Sequence, residues 1–124
     1  MTRARLDLGK WGEASAVSYL KKEGWEIVEL NYTCRLGEID IIARQGERLV
    51  FVEVKTKTVA GHLPPRYSVN HRKQEQIIRV ARWYLKEKKA SRARSRFDVI
   101  EVVGLGNGRP EKLTHLPGAF RVGR

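Results

Sequence analysis

Two acidic residues and a lysine occupy alternating positions in two neighbouring apolar segments of the sequence. Asp40 lies within Gly37–Arg44, and Glu53 and Lys55 stand two residues apart within Leu49–Lys57. Carboxylate oxygens are the hard ligands that Mg²⁺ and Mn²⁺ prefer. An ammonium group beside them orients water and stabilises the negative charge that develops while a phosphodiester is hydrolysed. These residue types therefore predict a metal-dependent phosphodiester hydrolysis site.

The two segments are predicted to pair as a β-hairpin that brings the acidic side chains together. The intervening residues, Gln45–Arg48, contain a glycine and are few enough for a hairpin loop. Pairing Arg44 with Leu49 then places Asp40 opposite Glu53. Strict alternation along both strands gives one shared face formed by Glu38, Asp40, Ile42, Phe51, Glu53 and Lys55. Facing carboxylates repel each other, and a bound cation would offset this repulsion.

A simpler interpretation of the same pattern remains open from the residues alone. Glu38, Asp40, Glu53 and Lys55 would then form cross-strand salt bridges on a solvated face. Glu13 lies in a predicted helix, where it either flanks the core-facing stripe or is an ordinary solvated charge.

Hydrophobic periodicity and turn residues predict the elements that must position this face. Helices are predicted over Asp7–Glu23, ending at Gly24, and over Asn70–Lys88. Strands are predicted over Trp25–Tyr32, Gly37–Arg44, Leu49–Lys57 and Phe97–Val103, with a further short edge strand at Lys112–Leu116. Thr58–Val69 reads as a long surface loop. The order α-β-β-β-α-β predicts an α/β fold with a mixed sheet flanked by helices, in which the third and fourth strands run parallel.

Composition narrows the class of protein and its partners. The 124 residues are the right length for one domain, residues 1–124. Lys and Arg number 25 against 14 Asp and Glu, a formal net charge of +11, which favours polyanions such as DNA. Cys34 is the only cysteine, so an internal disulfide is excluded and a reduced, cytoplasmic setting is expected. No stretch is apolar enough for a membrane span.

Basic and polar residues of the loop and second helix are candidate contacts to a phosphate backbone. The candidates are Arg66, Arg72, Lys73, Gln74 and Arg79. The alternative is that they form a solvated helix surface. Trp83 either stacks on a base or packs in the core or an interface, and packing is favoured.

The acidic motif also resembles a known nuclease signature. Gly37–Ile42 followed by Phe51–Thr56 resembles the PD-(D/E)xK signature of restriction-endonuclease-like nucleases. More closely, the chain is similar to the bacterial YraN-like family, which is related to archaeal Holliday junction resolvases. This similarity runs from Gly9–Ala14 through Val69, Lys73 and Ala81 to Arg96–Ile100. Ile39 stands where many relatives have proline.

The resemblance implies a function and assigns roles to residues. It implies a restriction-endonuclease-like three-layer core and a Mg²⁺- or Mn²⁺-dependent endonuclease that cuts DNA, with branched or junction DNA as a candidate substrate and a homodimer as the expected assembly. Asp40, Glu53 and Lys55 match the metal-binding and catalytic positions, and Glu13 matches an acidic residue of the first helix that joins them in catalysis and metal binding. Two alternatives remain: a non-catalytic nucleic-acid-binding module that retains the nuclease fold, and a basic adaptor for an acidic protein.

Overall fold

The structure, a computed structural model, describes residues 2–58, 69–104 and 110–122. The elements of these residues are α1 (Thr2–Lys22), β1 (Glu26–Cys34), β2 (Gly37–Gln45), β3 (Arg48–Thr58), α2 (His71–Glu87), β4 (Ser95–Gly104) and β5 (Pro110–Phe120). The predicted α/β class and the order α-β-β-β-α-β are confirmed, and β5 follows as a final strand. No helix of the described ranges is long and apolar enough to cross a membrane.

The strands form one mixed sheet in the order β1-β2-β3-β4-β5. Neighbours pair antiparallel except β3 and β4, which run parallel and are connected through α2. The predicted parallel pair is therefore confirmed. The predicted edge strand at Lys112–Leu116 is longer than expected, because its pairing with β4 extends from Pro110 to Phe120.

Two hydrophobic cores cover the two faces of the sheet. Ala16 and Leu20 of α1 pack on one face, and Ile77, Ala81 and Tyr84 of α2 pack on the other. Each helix therefore buries an apolar stripe against the sheet, which gives three layers.

The helix boundaries differ little from the prediction for α2 and more for α1. Asn70 caps α2, since its side chain accepts a hydrogen bond from the backbone N–H of Lys73. The first helix begins at Thr2 rather than Asp7, because its first residues include Arg, Ala and Leu, which favour helix without adding to an apolar stripe. The predicted loop Thr58–Val69 falls mostly outside the described residues, at 59–68.

The predicted hairpin register between β2 and β3 is confirmed over the paired residues. Arg44 pairs with Leu49, and the ladder runs from the hairpin loop to the pair Ile41–Val52. Asp40 and Glu53 follow one step beyond this last pair. The two strands therefore present both acidic residues where their backbone pairing ends.

Strict alternation along β2 was a wrong expectation. Ile39 and Ile42 both belong to the core under α2, whereas Ile41 belongs to the core under α1. Residues three apart in an alternating strand would face opposite sides, so the strand changes face close to Asp40. The cause lies in β1, where Asn31 stands opposite Asp40 and adopts a left-handed φ of 52°.

Candidate active site

Glu53 is a buried carboxyl group, with only 6% of the residue exposed. Burial and then the nearby charge of Asp40 raise the pKa of Glu53 to about 8, while Lys73 and Lys55 act in the opposite direction. The Nζ of Lys73 lies 3.8 Å from Oε2 of Glu53. A proton or a cation is therefore needed to accommodate this carboxyl group beside a second one.

Asp40 is held in place by the backbone of the neighbouring strand. Its Oδ2 accepts a hydrogen bond of 2.8 Å from the backbone N–H of Val54. This bond replaces the ladder bond expected at the next step of the hairpin and fixes the carboxylate against β3. A hydrogen bond between Asp40 and Glu53 also contributes to the raised pKa of Glu53, so the two acidic side chains converge as predicted.

Lys55 and Lys73 bring positive charge to Glu53 from two different elements. Lys55 follows Glu53 by two residues in β3, so the two side chains share a face, and Lys73 comes from the first turn of α2. Lys55 was predicted from the sequence to orient water and to stabilise negative charge beside the carboxylates, whereas Lys73 was predicted to contact nucleic acid. The structure places both amines around the same carboxyl group.

Glu13 approaches this pair from α1 but is bound to another residue. Its Oε1 accepts a hydrogen bond of 2.8 Å from Nδ2 of Asn31. Burial raises the pKa of Glu13, the bond from Asn31 lowers it, and the charges of Asp40 and Glu38 raise it further. Glu13 is thus within electrostatic reach of Asp40.

Close packing of α1 on the sheet sets the position of Glu13. A Cβ atom at Gly12 would collide with the side chain of Thr56, so only glycine permits this approach of the helix to β3. Trp11 packs over Gly104 in the same way, with a Cβ at Gly104 falling 2.6 Å from the indole ring. The segment from Trp11 to Glu13 therefore has a packing role that its spacing alone did not indicate.

The carboxyl groups fit a divalent cation as a pair rather than as a trio. Across residues 2–58, 69–104 and 110–122, no group of three or more His, Cys, Asp and Glu side chains is arranged to hold a metal ion. Asp40 and Glu53 supply two convergent oxygen donors, the remaining positions being those that Mg²⁺ commonly leaves to water and phosphate oxygens. The Oε1 of Glu13 accepts a hydrogen bond from Asn31, and the role of Glu13 as a third ligand stays a prediction.

The predicted nucleic-acid contacts separate into two groups. Arg72, Lys73 and Arg79 line a groove of about 450 Å³ together with Asn70 and Gln76. Gln74 lies elsewhere, because its Nε2 donates to the carbonyl oxygen of Val69 and its side chain lines a cavity against β5. Arg66 lies outside the described residues.

Asn31 and Gln76 were missed by the sequence analysis. Asn31 positions Glu13, and Gln76 connects α2 to the β1–β2 turn. An asparagine inside a strand pattern can signal a left-handed residue, which was the available clue to Asn31. Gln76 carried no signal, since the outer face of a helix is polar in any case.

Asp98 has a structural role. It is fully buried and accepts hydrogen bonds from Arg96, His115 and the backbone N–H of Gly118. Burial would raise the pKa of Asp98, but the bonds from His115, Arg96 and Gly118 outweigh it and lower that pKa.

The fold and site define an α/β domain in which a buried and a half-buried carboxyl group, Glu53 and Asp40, converge at the end of a strand ladder. The model of the uncharacterised protein family UPF0102 matches residues 12–102, and the chain belongs to this family. A UPF0102 protein of Syntrophotalea carbinolica is 45% identical over 122 residues, covering 98% of both chains. The UPF0102 protein of Geobacter metallireducens is 43% identical over 122 residues, covering 98% of both chains. That of Desulfosudis oleivorans is 46% identical over 107 residues, covering 86% of this chain and 87% of the relative.

Proposed function

We propose that this protein is a metal-dependent endonuclease that hydrolyses phosphodiester bonds of DNA. The observation that carries the proposal is the buried Glu53, which converges with Asp40 and is approached by the amines of Lys55 and Lys73. A salt-bridged surface would leave these carboxyl groups in water. Burying Glu53 beside a second, half-buried carboxyl group is costly unless a cation compensates.

Asp40 and Glu53 are the residues that would hold Mg²⁺ or Mn²⁺. Such an ion supplies a lower pKa for the attacking water and positive charge at the scissile phosphate. The bond from Val54 keeps the Asp40 carboxylate oriented, so little reorganisation accompanies binding. Glu53 must lose its proton to act as a ligand, and the neighbouring amines favour that loss.

Lys55 is proposed to act on the phosphate and the water. Its ammonium donates hydrogen bonds to the phosphate oxygens, where negative charge grows in the transition state. Lys73 also stands beside Glu53, where its charge favours the loss of the Glu53 proton, and it is proposed to contact phosphate when substrate is present. Glu13, held by Asn31, adds negative charge near Asp40 and is proposed as a positioning residue for the site.

Cleavage assays on labelled DNA test the proposal. Duplex, single-stranded, flapped and four-way DNA are incubated with Mg²⁺, Mn²⁺ or chelator. Cutting should require the metal and fall by at least about a hundredfold in Asp40→Asn, Glu53→Gln and Lys55→Ala. Glu47→Gln, at an exposed position of the hairpin loop, is the matched control and should cut normally. Equal cutting by Glu53→Gln and the control would refute the proposed site.

The second candidate is a nucleic-acid-binding module without catalysis. It is favoured by the groove on α2, which presents basic side chains without any contribution from the carboxylates. Binding of DNA with no metal-dependent cutting of any of the four substrates would support this candidate over the endonuclease.

A further inference from the structure

A line of side chains on the outer face of α2 leads away from the carboxylate pair. Successive members are three or four residues apart, so they share one face of the helix. They are Arg72, Gln76, Arg79 and Trp83. The groove of about 450 Å³ contains the first three and Lys73, which also contacts Glu53. The line therefore begins at the proposed active site and ends at a tryptophan.

The turn between β1 and β2 contacts this line at two points. The Nε2 of Gln76 donates to the carbonyl oxygen of Leu36, at 3.4 Å. Gly37 allows this contact, since a Cβ there would fall 2.9 Å from the Gln76 amide and its φ is 146°. Farther along, the guanidinium of Arg35 lies 5.4 Å from the centre of the Trp83 ring. The turn thus makes a polar contact near the carboxylates and a cationic contact near the tryptophan.

Trp83 is exposed in a way that packing does not explain. It is 37% exposed, whereas Trp25 is 8% exposed and Trp11 packs over Gly104. Arg35 holds a positive charge over the ring, and Arg79 stands one helical turn away. A flat aromatic surface among arginines matches a nucleotide, which combines an aromatic base with a phosphate.

We propose that this line binds an unpaired strand of nucleic acid, with the phosphates on Arg72 and Arg79 and a base stacked on Trp83. Binding of the strand needs no catalysis. Its path to a cleavage point rests on the proposed function. Lys73 and Trp83 are separated by about 15 Å along the helix. That distance spans about four steps of a stacked strand. The substrate class is therefore a nucleic acid with a single-stranded segment about four nucleotides from the cut.

Binding measurements in the Glu53→Gln background test this proposal without cleavage. Fluorescence anisotropy compares an oligothymidylate, a flapped duplex and a blunt duplex. Trp83→Ala should weaken binding of the first two about tenfold and change duplex binding less than twofold. Leu30→Ala removes an exposed apolar side chain that lies on the α1 side, and this control should bind normally. Equal affinities for Trp83→Ala and the control would overturn the proposal.

Two further measurements distinguish base stacking on Trp83 from misfolding of the variant and from a dimer interface at Trp83. Oligothymidylate should quench the tryptophan fluorescence of the unsubstituted chain and not that of Trp83→Phe, which keeps an aromatic ring. Quenching that persists in Trp83→Phe would contradict stacking at this position. Light scattering should give the same mass for both proteins, and a dimer that dissociates in either Trp83 variant would instead place Trp83 between two copies.

Arginine variants separate this proposal from the proposed function. Arg79→Ala should weaken single-strand binding more than Arg82→Ala, which removes the same charge from an exposed position off the line. Trp83-dependent binding without any cutting would refute the endonuclease and leave the strand line standing. Cutting that is unaffected by Trp83→Ala and Arg79→Ala would refute the strand line and leave the endonuclease standing.

Discussion

At the scale of single residues, the proposed chemistry depends on one carboxyl group placed where water does not stabilise its charge. Glu53 lies one step beyond the end of the β2–β3 ladder, and its side chain is buried. Because the ladder ends there, the backbone N–H of Val54 is available to Asp40. Burial makes the charged form unfavourable, and Asp40 adds repulsion. The same features that destabilise the free site favour a divalent cation there.

The free protein should lose stability as the pH rises because of Glu53. Its folded pKa of about 8 exceeds the ordinary glutamate pKa of 4.5, so between these pH values the unfolded chain has released a proton that the folded chain retains. The stabilisation is complete below the unfolded pKa and is lost as the pH rises through the folded pKa, with a slope of at most about 1.4 kcal/mol per pH unit.

Urea unfolding with chelator between pH 5 and pH 9 measures this slope. Glu53→Gln should be more stable than the unsubstituted chain at the alkaline end and should show a flatter pH profile. Glu47→Gln controls for the loss of an exposed carboxylate. Parallel profiles for Glu53→Gln and the unsubstituted chain would show that Glu53 ionises normally in the folded state.

At the scale of elements, one glycine determines how closely α1 approaches the sheet. Gly12 faces Thr56 of β3, and the next residue, Glu13, reaches Asn31 of β1. The helix therefore docks over the strands that carry the acidic pair. Any change that lifts α1 also moves Glu13 away from Asp40.

Gly12→Ala should destabilise the fold by about 1–3 kcal/mol, because its new methyl group collides with Thr56. Gly9→Ala in the same helix is the matched control. A Cβ at Gly9 has no atom within 4 Å, so this change should be neutral or stabilising by up to about 1 kcal/mol. Thermal unfolding compares the two variants. Equal melting temperatures would contradict the tight packing of α1 on β3.

The elements could be predicted from the sequence where the determining signals are local. The loop around Gly46 and the apolar residues on either side predicted the Arg44–Leu49 register, because loop length fixes which residues pair. The change of face near Asp40 could not be predicted in this way, since it depends on the left-handed backbone of Asn31 in a neighbouring strand.

The positions of Gln74 and Gln76 on different flanks of α2 illustrate a second limit. Both glutamines lie in the first two turns of an amphipathic helix, and they are the same residue type. Which flank faces the groove depends on where the β1–β2 turn lies. That is tertiary information, so the helical pattern could predict the buried stripe but not the flank of the helix that holds the groove.

At the scale of the whole molecule, a polar network around the buried Asp98 joins the first helix to the last two strands. Asp98 binds Arg96 and His115, and the other ring nitrogen of His115 lies 2.8 Å from the hydroxyl oxygen of Tyr19. The network fastens β5 and α1 to β4. Asp98 at its centre is fully buried, so water would not offset the loss of its partners.

Asp98→Asn should lower the free energy of unfolding by about 3 kcal/mol, since it leaves Arg96 and His115 without their anion. Glu26→Gln breaks the exposed pair with Arg44 and should cost less than about 1 kcal/mol. Because the folded pKa of Asp98 is lowered, the difference between Asp98→Asn and the unsubstituted chain should shrink as the pH falls below about 4. Urea unfolding measures both effects, and equal costs for the two variants would contradict the network.

The net charge of +11 predicts how binding responds to salt. The logarithm of the DNA-binding constant should fall linearly with the logarithm of salt concentration, and Arg72→Ala should reduce the slope by about one. Anisotropy titrations at several salt concentrations measure both quantities. A binding constant that does not change with salt would contradict phosphate contacts on α2.

The central claim is that Asp40 and Glu53 jointly hold a divalent cation. The most direct measurement is anomalous diffraction from crystals of this protein soaked in Mn²⁺. We expect a manganese peak within coordination distance of both carboxylates. This peak should disappear in Glu53→Gln and remain in Glu47→Gln. Crystals that bind manganese elsewhere, with no peak between Asp40 and Glu53, would contradict it.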